Sequence, residues 1–302
     1  MATIDVIFWT DEQGRKRVMY GKANHLSPYN VSYGIKDPNK NSVRDNLNHR
    51  GDNLSTERRK LHNQIIQEVF EGHEPYKEGE PKYALYTGGA PASGKGTFTH
   101  DVEKYYSNKD NPVILDADAL KERLLFADTG KKRLDDATSQ YYHSESVILQ
   151  KRLYEIAIQN DYPVLLDGTS TAYPQFFAKL QQAKNNGYRT RMCFMMADAN
   201  SLLNGSLDRY RKEGRIVPLN RILQVASDSQ TVLPKMFNDI DDITVYYRSG
   251  SRVTPVAKGG NGKQHIADNQ IWRNVMSSNA YNLDSGAINM YYSKVNAIKN
   301  GH

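Results

Sequence analysis

Residues 85–97 have the sequence LYTGGAPASGKGT, a glycine-rich loop between two ordered segments. A β-prone segment, residues 82–87, precedes the loop, and a helix-forming segment, residues 97–105, follows it. From Gly89 the spacing is G-x-x-x-x-G-K, which lets backbone N–H groups approach phosphate oxygens while Lys95 reaches the terminal phosphates. The pattern predicts a site for ATP or GTP, and an ordinary glycine turn is the alternative.

The loop supplies the predicted nucleotide-binding residues. They are Gly89, Ala90, Ser93, Gly94, Lys95, Gly96 and Thr97. Gly96 stands where many such loops place the Ser or Thr that binds magnesium, and the hydroxyl follows at Thr97, as in adenylate-kinase-like loops. We therefore expect Mg²⁺ as a cofactor, with Thr97 as a candidate ligand.

Size and composition indicate a folded protein. The chain has 302 residues, of which 25% are charged and 38% hydrophobic, so it suits one large α/β domain with appendages or two modest domains. Its net charge of +6 favours anionic partners, but 40 basic residues are interspersed with 34 acidic ones. The charge permits nucleic-acid binding without favouring it.

The single cysteine, Cys193, stands among methionines and phenylalanine, which predicts a buried thiol and a reducing cytoplasm. Residues 1–9 do not form a basic-then-apolar leader, and no apolar run approaches membrane-spanning length. We expect a cytoplasmic protein that does not enter a membrane.

Three regions are predicted along the chain: an N-terminal extension (1–81), a P-loop kinase domain (82–250) and a C-terminal extension (251–302). The N-terminal extension is expected to contain, in order, a hairpin of strands 4–9 and 17–20 around a turn at 11–14, an irregular arm at 23–54, and a helix at 56–71 capped by Ser55.

Strands and helices alternate after the loop. The predicted strands are 112–118, 162–166, 188–196 and 243–247, and the predicted helices include 174–186, 200–213 and 222–237. Such alternation is typical of a mostly parallel sheet with helices on both faces. The predicted fold class is therefore α/β, a three-layer α/β/α architecture with the phosphate loop after its first strand. In the C-terminal extension we expect a flexible loop at 259–262 and a short helix at 270–276.

Acidic residues follow two of the predicted strands. Asp116 and Asp118 end the strand after the loop, and Asp118 is the candidate base that takes the acceptor proton in a phosphotransferase. The alternative is that Asp118 caps a helix. Asp167 ends the next strand, a position suited to a carboxylate near the magnesium water shell. Glu145 lies near a helix start, where it would complement the helix dipole.

Three arginines, Arg209, Arg211 and Arg215, lie within a short span at the end of a predicted helix. Arginine forks suit phosphate oxygens, and cations over a γ-phosphate stabilise the charge of its transfer. A basic helix C-terminus, which the helix dipole favours, is the alternative.

These motifs, in this order, resemble the zeta toxin family of P-loop kinases over roughly residues 82–250. The carrying segments are GGAPASGKGT at 88–97, LDAD at 115–118, HSES at 143–146, LDGT at 166–169, LDRY at 207–210 and GRIVP at 214–218. Gly96 departs from the more usual Ser or Thr, and the resemblance does not extend to residues 1–81 or 260–302.

The resemblance implies roles for particular residues. Asp118 would be the catalytic base, Lys95, Arg209 and Arg215 would face the phosphates, and Glu145 would contact the acceptor. On the same basis we expect Asp116 and Thr169 on the substrate side and Asp167 near the metal. Toxins of this family phosphorylate uridine-diphosphate-N-acetylglucosamine and are silenced by an antitoxin, whereas relatives use other acceptors.

Three hypotheses follow. The first is an ATP-dependent kinase acting on a hydroxyl of a small molecule such as a nucleotide sugar. The second is a nucleic-acid 5′-hydroxyl kinase, which would bind DNA or RNA with strong salt dependence. The third is a non-catalytic nucleotide-binding interaction module, which would leave ATP intact.

Overall fold

The computed structural model describes residues 6–10, 16–20, 56–106, 110–134 and 136–300. The predicted turn at 11–14, the irregular arm at 23–54 and the cap at Ser55 lie outside the described residues.

Two compact units divide the chain. The first contains residues 1–71, 117–153 and 213–215, and the second contains residues 72–116, 154–212 and 216–302. Each is described by itself below.

The helices and strands have these bounds. The strands are β1 (Val6–Thr10), β2 (Lys16–Tyr20), β3 (Lys82–Gly89), β4 (Val113–Asp116), β5 (Val164–Asp167), β6 (Tyr188–Ala197), β7 (Asp242–Ser249), β8 (Arg252–Gly260) and β9 (Lys263–Ile266). The helices are α1 (Thr56–Phe70), α2 (Gly96–His100), α3 (Val102–Tyr105), α4 (Ala117–Thr129), α5 (Asp136–Tyr141), α6 (His143–Gln159), α7 (Tyr173–Asn185), α8 (Ala199–Glu213), α9 (Leu219–Asp239), α10 (Asn269–Val275) and α11 (Ser285–Lys299).

The second unit is built on a seven-stranded sheet with the order β4-β5-β3-β6-β7-β8-β9. The pairs from β4 to β7 are parallel, and β3 lies between β5 and β6. The predicted α/β class with a mostly parallel sheet is confirmed. Since ligands bind at the carboxyl ends of parallel strands, the ends of β3, β4 and β5 are where a site is expected.

Strand β3 lies inside the sheet, and its residues are buried accordingly. Its residues Ala84, Leu85 and Tyr86 are fully buried, as are Leu165 of β5 and Phe194 of β6. A strand covered on both faces needs such a continuous apolar run. Cys193 is buried, as predicted, and burial raises the pKa of its thiol to about 12.

The first unit contains the predicted N-terminal hairpin. Strands β1 and β2 pair antiparallel, with Val6 opposite Tyr20 and Thr10 opposite Lys16. The predicted helix at 56–71 is also present as α1, and Gly72 beyond it has a positive φ of 76° that ends the helix.

Two expectations for the second unit are wrong. The helix expected at 97–105 is broken at Asp101, whose φ of −133° and ψ of 59° separate α2 from α3. The glycines at 259–262 do not form a loose linker, because β8 and β9 form an antiparallel hairpin around them, with Gly260 opposite Lys263.

The sheet therefore continues into the C-terminal extension, since β8 pairs with β7. Helix α11, which no pattern indicated, buries Tyr291 among Leu203, Leu207 and Leu219. No helix among the described residues is long and apolar enough to cross a bilayer.

Candidate functional site

The phosphate loop leaves the carboxyl end of β3 through a close backbone contact. Gly89 has a φ of 119°, and a Cβ there would lie 2.1 Å from the Met195 carbonyl oxygen on β6. Its N–H donates to the Thr169 carbonyl oxygen over 3.1 Å. A side chain at residue 89 would therefore push the loop away from the end of β6.

Lys95 is folded back onto its own loop. Its Nζ donates to the carbonyl oxygens of Gly89 at 2.9 Å and Ala90 at 2.8 Å. Ser93 is fully buried within the loop, and its Oγ has no hydrogen-bond partner in the part of the chain that is described. A buried hydroxyl without a partner is costly, so the loop contains an unused donor at the predicted phosphate position.

Gly96 and Thr97, the first residues of α2, are exposed. Among the described residues, no group of three or more His, Cys, Asp or Glu is arranged to hold a metal ion. The candidates for Mg²⁺ therefore remain those of the sequence, Thr97 and Asp167.

Asp116 and Asp167 lie side by side, because they are register partners at the ends of β4 and β5. The Thr87 hydroxyl on β3 donates to Asp167 Oδ1 and accepts from the Gly168 N–H at 3.1 Å. Thr87 is fully buried. Sequence reasoning missed Thr87. Its hydroxyl holds the Asp167 carboxylate at the end of β5, and β5 is the neighbour of β3, the strand that leads into the phosphate loop.

Asp118 lies in the first turn of α4, two residues beyond the end of β4. Its Oδ1 accepts from Lys121 Nζ at 2.8 Å, and its Oδ2 lies 3.4 Å from Arg215 Nη1. Arg215 also donates to Glu213 Oε2 at 2.7 Å. Two sequence-predicted residues, Asp118 and Arg215, are therefore neighbours in the first unit. Lys121 is a second cation that contacts Asp118.

Arg215 is only 11% exposed, whereas Asp118 is 33% exposed. Arg209 belongs to the second unit, where it lies partly buried on α8. Arg211, the third arginine of the sequence cluster, is 53% exposed and pairs with Asp208 one turn earlier.

Glu145 is almost fully buried, with 1% of its side chain exposed. Arg58 on α1 holds it through Nε to Oε1 at 2.5 Å and Nη2 to Oε2 at 2.9 Å, and His62 Nε2 lies 2.8 Å from Oε1. Burial raises the pKa of Glu145, but the hydrogen bonds from His62 and Arg58 outweigh it and lower the pKa below its ordinary value.

The same network extends beyond Glu145. Arg58 Nη1 donates to Asp128 Oδ1 at 2.5 Å, and the Tyr142 hydroxyl donates to Asp128 Oδ2 at 2.9 Å. His62 is fully buried, and its Nδ1 lies 3.3 Å from Arg152 Nη1. Since an arginine can only donate, His62 accepts at Nδ1 and donates at Nε2 to Glu145, which is the neutral tautomer.

Sequence reasoning missed the partners Arg58, His62 and Lys121. One signal was available: Arg58 and His62 are four residues apart on a helix and therefore share a face. Ile65, three residues beyond His62, lies on the same face and is buried, and polar side chains on a buried helix face need partners.

A comparison with protein families now identifies the chain. A family model described as Zeta toxin matches residues 66–256, more than half of the sequence. This chain belongs to the zeta toxin family. The match includes the phosphate loop, Asp118, Glu145 and Arg215, but begins after Arg58 and His62.

Solved structures show the same fold. A chain in the complex of AvrRxo1-ORF1 with AvrRxo1-ORF2 is 18% identical in sequence to this chain, with a TM-score of 0.61. The match covers 80% of this chain and 81% of that one. A second structure of that complex, determined with ATP, is 19% identical with a TM-score of 0.60, covering 77% and 75%.

The PezAT toxin-antitoxin system of Streptococcus pneumoniae is 15% identical with a TM-score of 0.54, covering 82% of this chain and 98% of that one. Among curated proteins, no match is found. At these identities the structures show the P-loop kinase-like fold of the zeta toxin family.

Proposed function

We propose that this zeta toxin family member is a cytoplasmic kinase that transfers the γ-phosphate of ATP to a hydroxyl of a nucleotide sugar such as uridine-diphosphate-N-acetylglucosamine. The observation that carries the proposal is the pairing of Asp118 with Arg215 at 3.4 Å. Phosphoryl transfer needs a carboxylate that receives the hydroxyl proton and a cation that stabilises the charge on the transferred group.

In this proposal the donor phosphates bind the loop. Lys95 exchanges its two carbonyl contacts for the terminal phosphates, and the buried Ser93 hydroxyl gains a partner. Thr97 and Asp167 are the residues that would hold Mg²⁺ and its water shell. When bound, Mg²⁺ neutralises charge on the β- and γ-phosphates, while Arg209 provides a further cation.

Glu145 and Asp118 both have hydrogen-bonding partners, and these partners affect which acceptor the two carboxylates can bind. Two unpaired carboxylates would repel an anionic acceptor, but Glu145 is paired with Arg58 and His62, and Asp118 with Lys121 and Arg215. Repulsion by these two carboxylates is therefore weak support for a neutral acceptor. The remaining support is chemical, since Asp118 can serve as a base only for a nucleophile that has a proton to give.

Asp116, Thr169 and Glu145 remain the proposed acceptor-side residues. Both Glu145 oxygens accept hydrogen bonds from α1. A substrate that contacts Glu145 would therefore have to share or replace one of these bonds.

The test is a side-by-side assay of the wild-type protein with Mg²⁺, labelled ATP and three acceptor types, with products identified by mass. The acceptors are uridine-diphosphate-N-acetylglucosamine, a panel of nucleoside monophosphates and a 5′-hydroxyl oligonucleotide. We expect phosphate only on the nucleotide sugar. Conversion of a monophosphate to a diphosphate would contradict the proposal, and end-labelling of the oligonucleotide would favour a nucleic-acid kinase.

We also propose an antitoxin-like protein partner, because the related PezAT structure describes a toxin-antitoxin system. Co-purification with the product of an adjacent reading frame, and loss of phosphate transfer in that complex, would be the expected result. A complex that transfers phosphate as fast as the free chain would contradict it.

A further inference from the structure

Helix α8 approaches the backbone of the phosphate loop closely within the second unit. Gly205 in the interior of α8 is half-buried, and a Cβ there would lie 2.6 Å from the Ala92 carbonyl oxygen. A Cβ does not fit that close to a backbone oxygen, so a side chain at residue 205 must displace either the helix or the loop. Glycine is a poor helix former, and this contact is the physical reason for its presence in α8.

Ala92 is the loop residue that α8 contacts at this point. Its φ of 64° lies in the left-handed region, which an alanine adopts at a cost and keeps only where the surrounding structure fixes it. Arg248 near the end of β7 supplies one restraint, because its Nη1 donates to the Ala92 carbonyl oxygen over 3.2 Å. The close approach of Gly205 to the same oxygen supplies a second restraint.

The preceding turn of α8 also belongs to the packing around the loop. Leu202 is fully buried, and it lies in one apolar cluster with Ala90 of the loop and Tyr281 of the C-terminal extension. Residues 202 and 205 are three apart on a helix and therefore share a face. This side of α8, which contains Leu202 and Gly205, is its loop face.

Helix α11 holds α8 from another side. Leu203 and Leu207 of α8 lie in one apolar cluster with Tyr291 of α11, and Tyr291 is 2% exposed. The Ser206 Oγ also lies 3.0 Å from the Tyr291 hydroxyl oxygen. Because α8 is packed in this way, we expect a side chain at residue 205 to move the loop rather than the helix.

The loop face also includes Arg209, which lies four residues beyond Gly205 and is partly buried. In the proposed function Arg209 is a cation that faces the donor phosphates. Gly205 sets how closely α8 approaches the loop. The same approach therefore sets how closely Arg209 comes to phosphates bound in the loop.

We propose that Gly205 is a positioning residue of the donor site. Without a side chain it lets α8 hold Ala92 in its left-handed conformation and brings Arg209 toward the phosphates. The inference rests on the proposed function, because it assumes that the loop binds the phosphates of the donor. Gly205 itself contacts no substrate, so its effect is carried by Ala92 and Arg209.

The experiment compares the wild type with Gly205→Ala and Asn204→Ala. Asn204 is the matched control, because it is the exposed neighbour of Gly205 on the same helix and both replacements introduce the best helix former. Calorimetry measures the affinity for inorganic tripolyphosphate with Mg²⁺, a probe that has the phosphates without a nucleoside. Single-turnover assays measure transfer from saturating ATP to uridine-diphosphate-N-acetylglucosamine, and thermal unfolding measures stability.

We expect Gly205→Ala to bind tripolyphosphate about tenfold more weakly than the wild type, the scale of one extra methyl group in a packed contact. Its single-turnover rate should fall by about 100-fold, the scale of a small misplacement of catalytic groups. Its melting temperature should stay within a few degrees of the wild type. Asn204→Ala should match the wild type in affinity and rate within about twofold, since an exposed surface substitution has little effect.

Affinity and rate within twofold of the wild type in a folded Gly205→Ala protein would overturn the assignment. If that variant does not fold, hydrogen exchange of the wild type decides instead. Tripolyphosphate should slow exchange of the backbone amides of residues 202–209, because the occupied loop stabilises its contact with α8. Unchanged exchange there would also overturn the assignment. A wild type that binds no tripolyphosphate would contradict the proposed function itself.

Discussion

The phosphate loop and the buried carboxylate Glu145 differ in where their partners lie along the chain. The acceptors of Lys95 are five and six residues away, at Ala90 and Gly89. The partners of Glu145, His62 and Arg58, are 83 and 87 residues away. A motif of short spacing can thus indicate its own geometry, whereas a motif such as HSES at 143–146 does not indicate which side chains donate hydrogen bonds to its carboxylate.

The difference matters for function because it separates ligand contacts from internal contacts. In the proposed function, Lys95 exchanges two carbonyl oxygens of its own loop for a phosphate. Glu145 cannot leave Arg58 without breaking one of the two ion pairs of a buried cation, whose other carboxylate is Asp128. The variants below test this contrast, in order of decreasing effect.

Lys95→Ala should reduce phosphate transfer by about 1,000-fold or more, because a cation that stabilises the transferring group is lost. The melting temperature should stay within a few degrees, since Lys95 is only partly buried and its bonds to Gly89 and Ala90 lie within its own loop. Lys132→Ala, at an exposed position, is the control. Unchanged turnover in the Lys95 variant would end the phosphate-loop interpretation.

Glu145→Gln should lower the free energy of unfolding by about 3 kcal/mol, because the buried Arg58 loses the carboxylate that accepts two of its hydrogen bonds and keeps only Asp128. Glu68→Gln is a matched control, as Glu68 pairs with Arg123 on the surface at 42% exposure. Denaturant titration measures both variants. Similar losses of unfolding free energy in the two variants would show that burial of the Arg58–Glu145 pair does not contribute to stability.

The pH dependence of unfolding also tests whether the buried Glu145 carboxylate stabilises the fold. The folded-state pKa of Glu145 is lowered, so its stabilising contribution is complete above its ordinary pKa of about 4.5 and is lost as the pH falls through the lower folded value. Unfolding measured between pH 6 and 3 should therefore show a steeper acid loss for the wild type than for Glu145→Gln. Parallel curves would contradict the lowered pKa.

Asp118→Asn should reduce transfer by about 100-fold while ATP affinity stays within a few fold, which is the scale of a lost proton acceptor. Asp208→Asn is the matched control, since Asp208 also pairs with a cation three residues later on a helix. Single-turnover assays and calorimetry separate the two quantities. If Asp118→Asn lowers only the melting temperature, Asp118 has a structural role.

Thr87→Val should cost roughly 1 to 2 kcal/mol of stability, because the Gly168 N–H and Asp167 lose a buried hydroxyl partner. If Asp167 orients the magnesium waters, this variant should also need several-fold more Mg²⁺ for half-maximal transfer. Thr190→Val, which breaks the similar Thr190 contact to Asp241, is the control and should leave the Mg²⁺ requirement unchanged. Equal requirements in both variants would argue against a metal role for Asp167.

The C-terminal region shows why some elements were not predicted. Residues 259–262 contain three glycines, which favour a loop by composition, yet Gly260 has a φ of 142° and lies against the backbone of Asp241. Glycine was needed there for a close approach between strands, and composition does not distinguish this from flexibility. Helix α11 depends on Tyr291 entering a cluster formed by distant helices.

The sequence alone determined the alternation of strands and helices, the phosphate loop and the strand-end carboxylates, because each depends on residues that are neighbours along the chain. The family model over residues 66–256 agrees with that part. Only the tertiary structure decided that Arg58 and His62 enclose Glu145, that Lys121 and Arg215 contact Asp118, and that Arg248 lies against the loop. These contacts depend on which helix faces and strand ends fold together, and no local spacing specifies that choice.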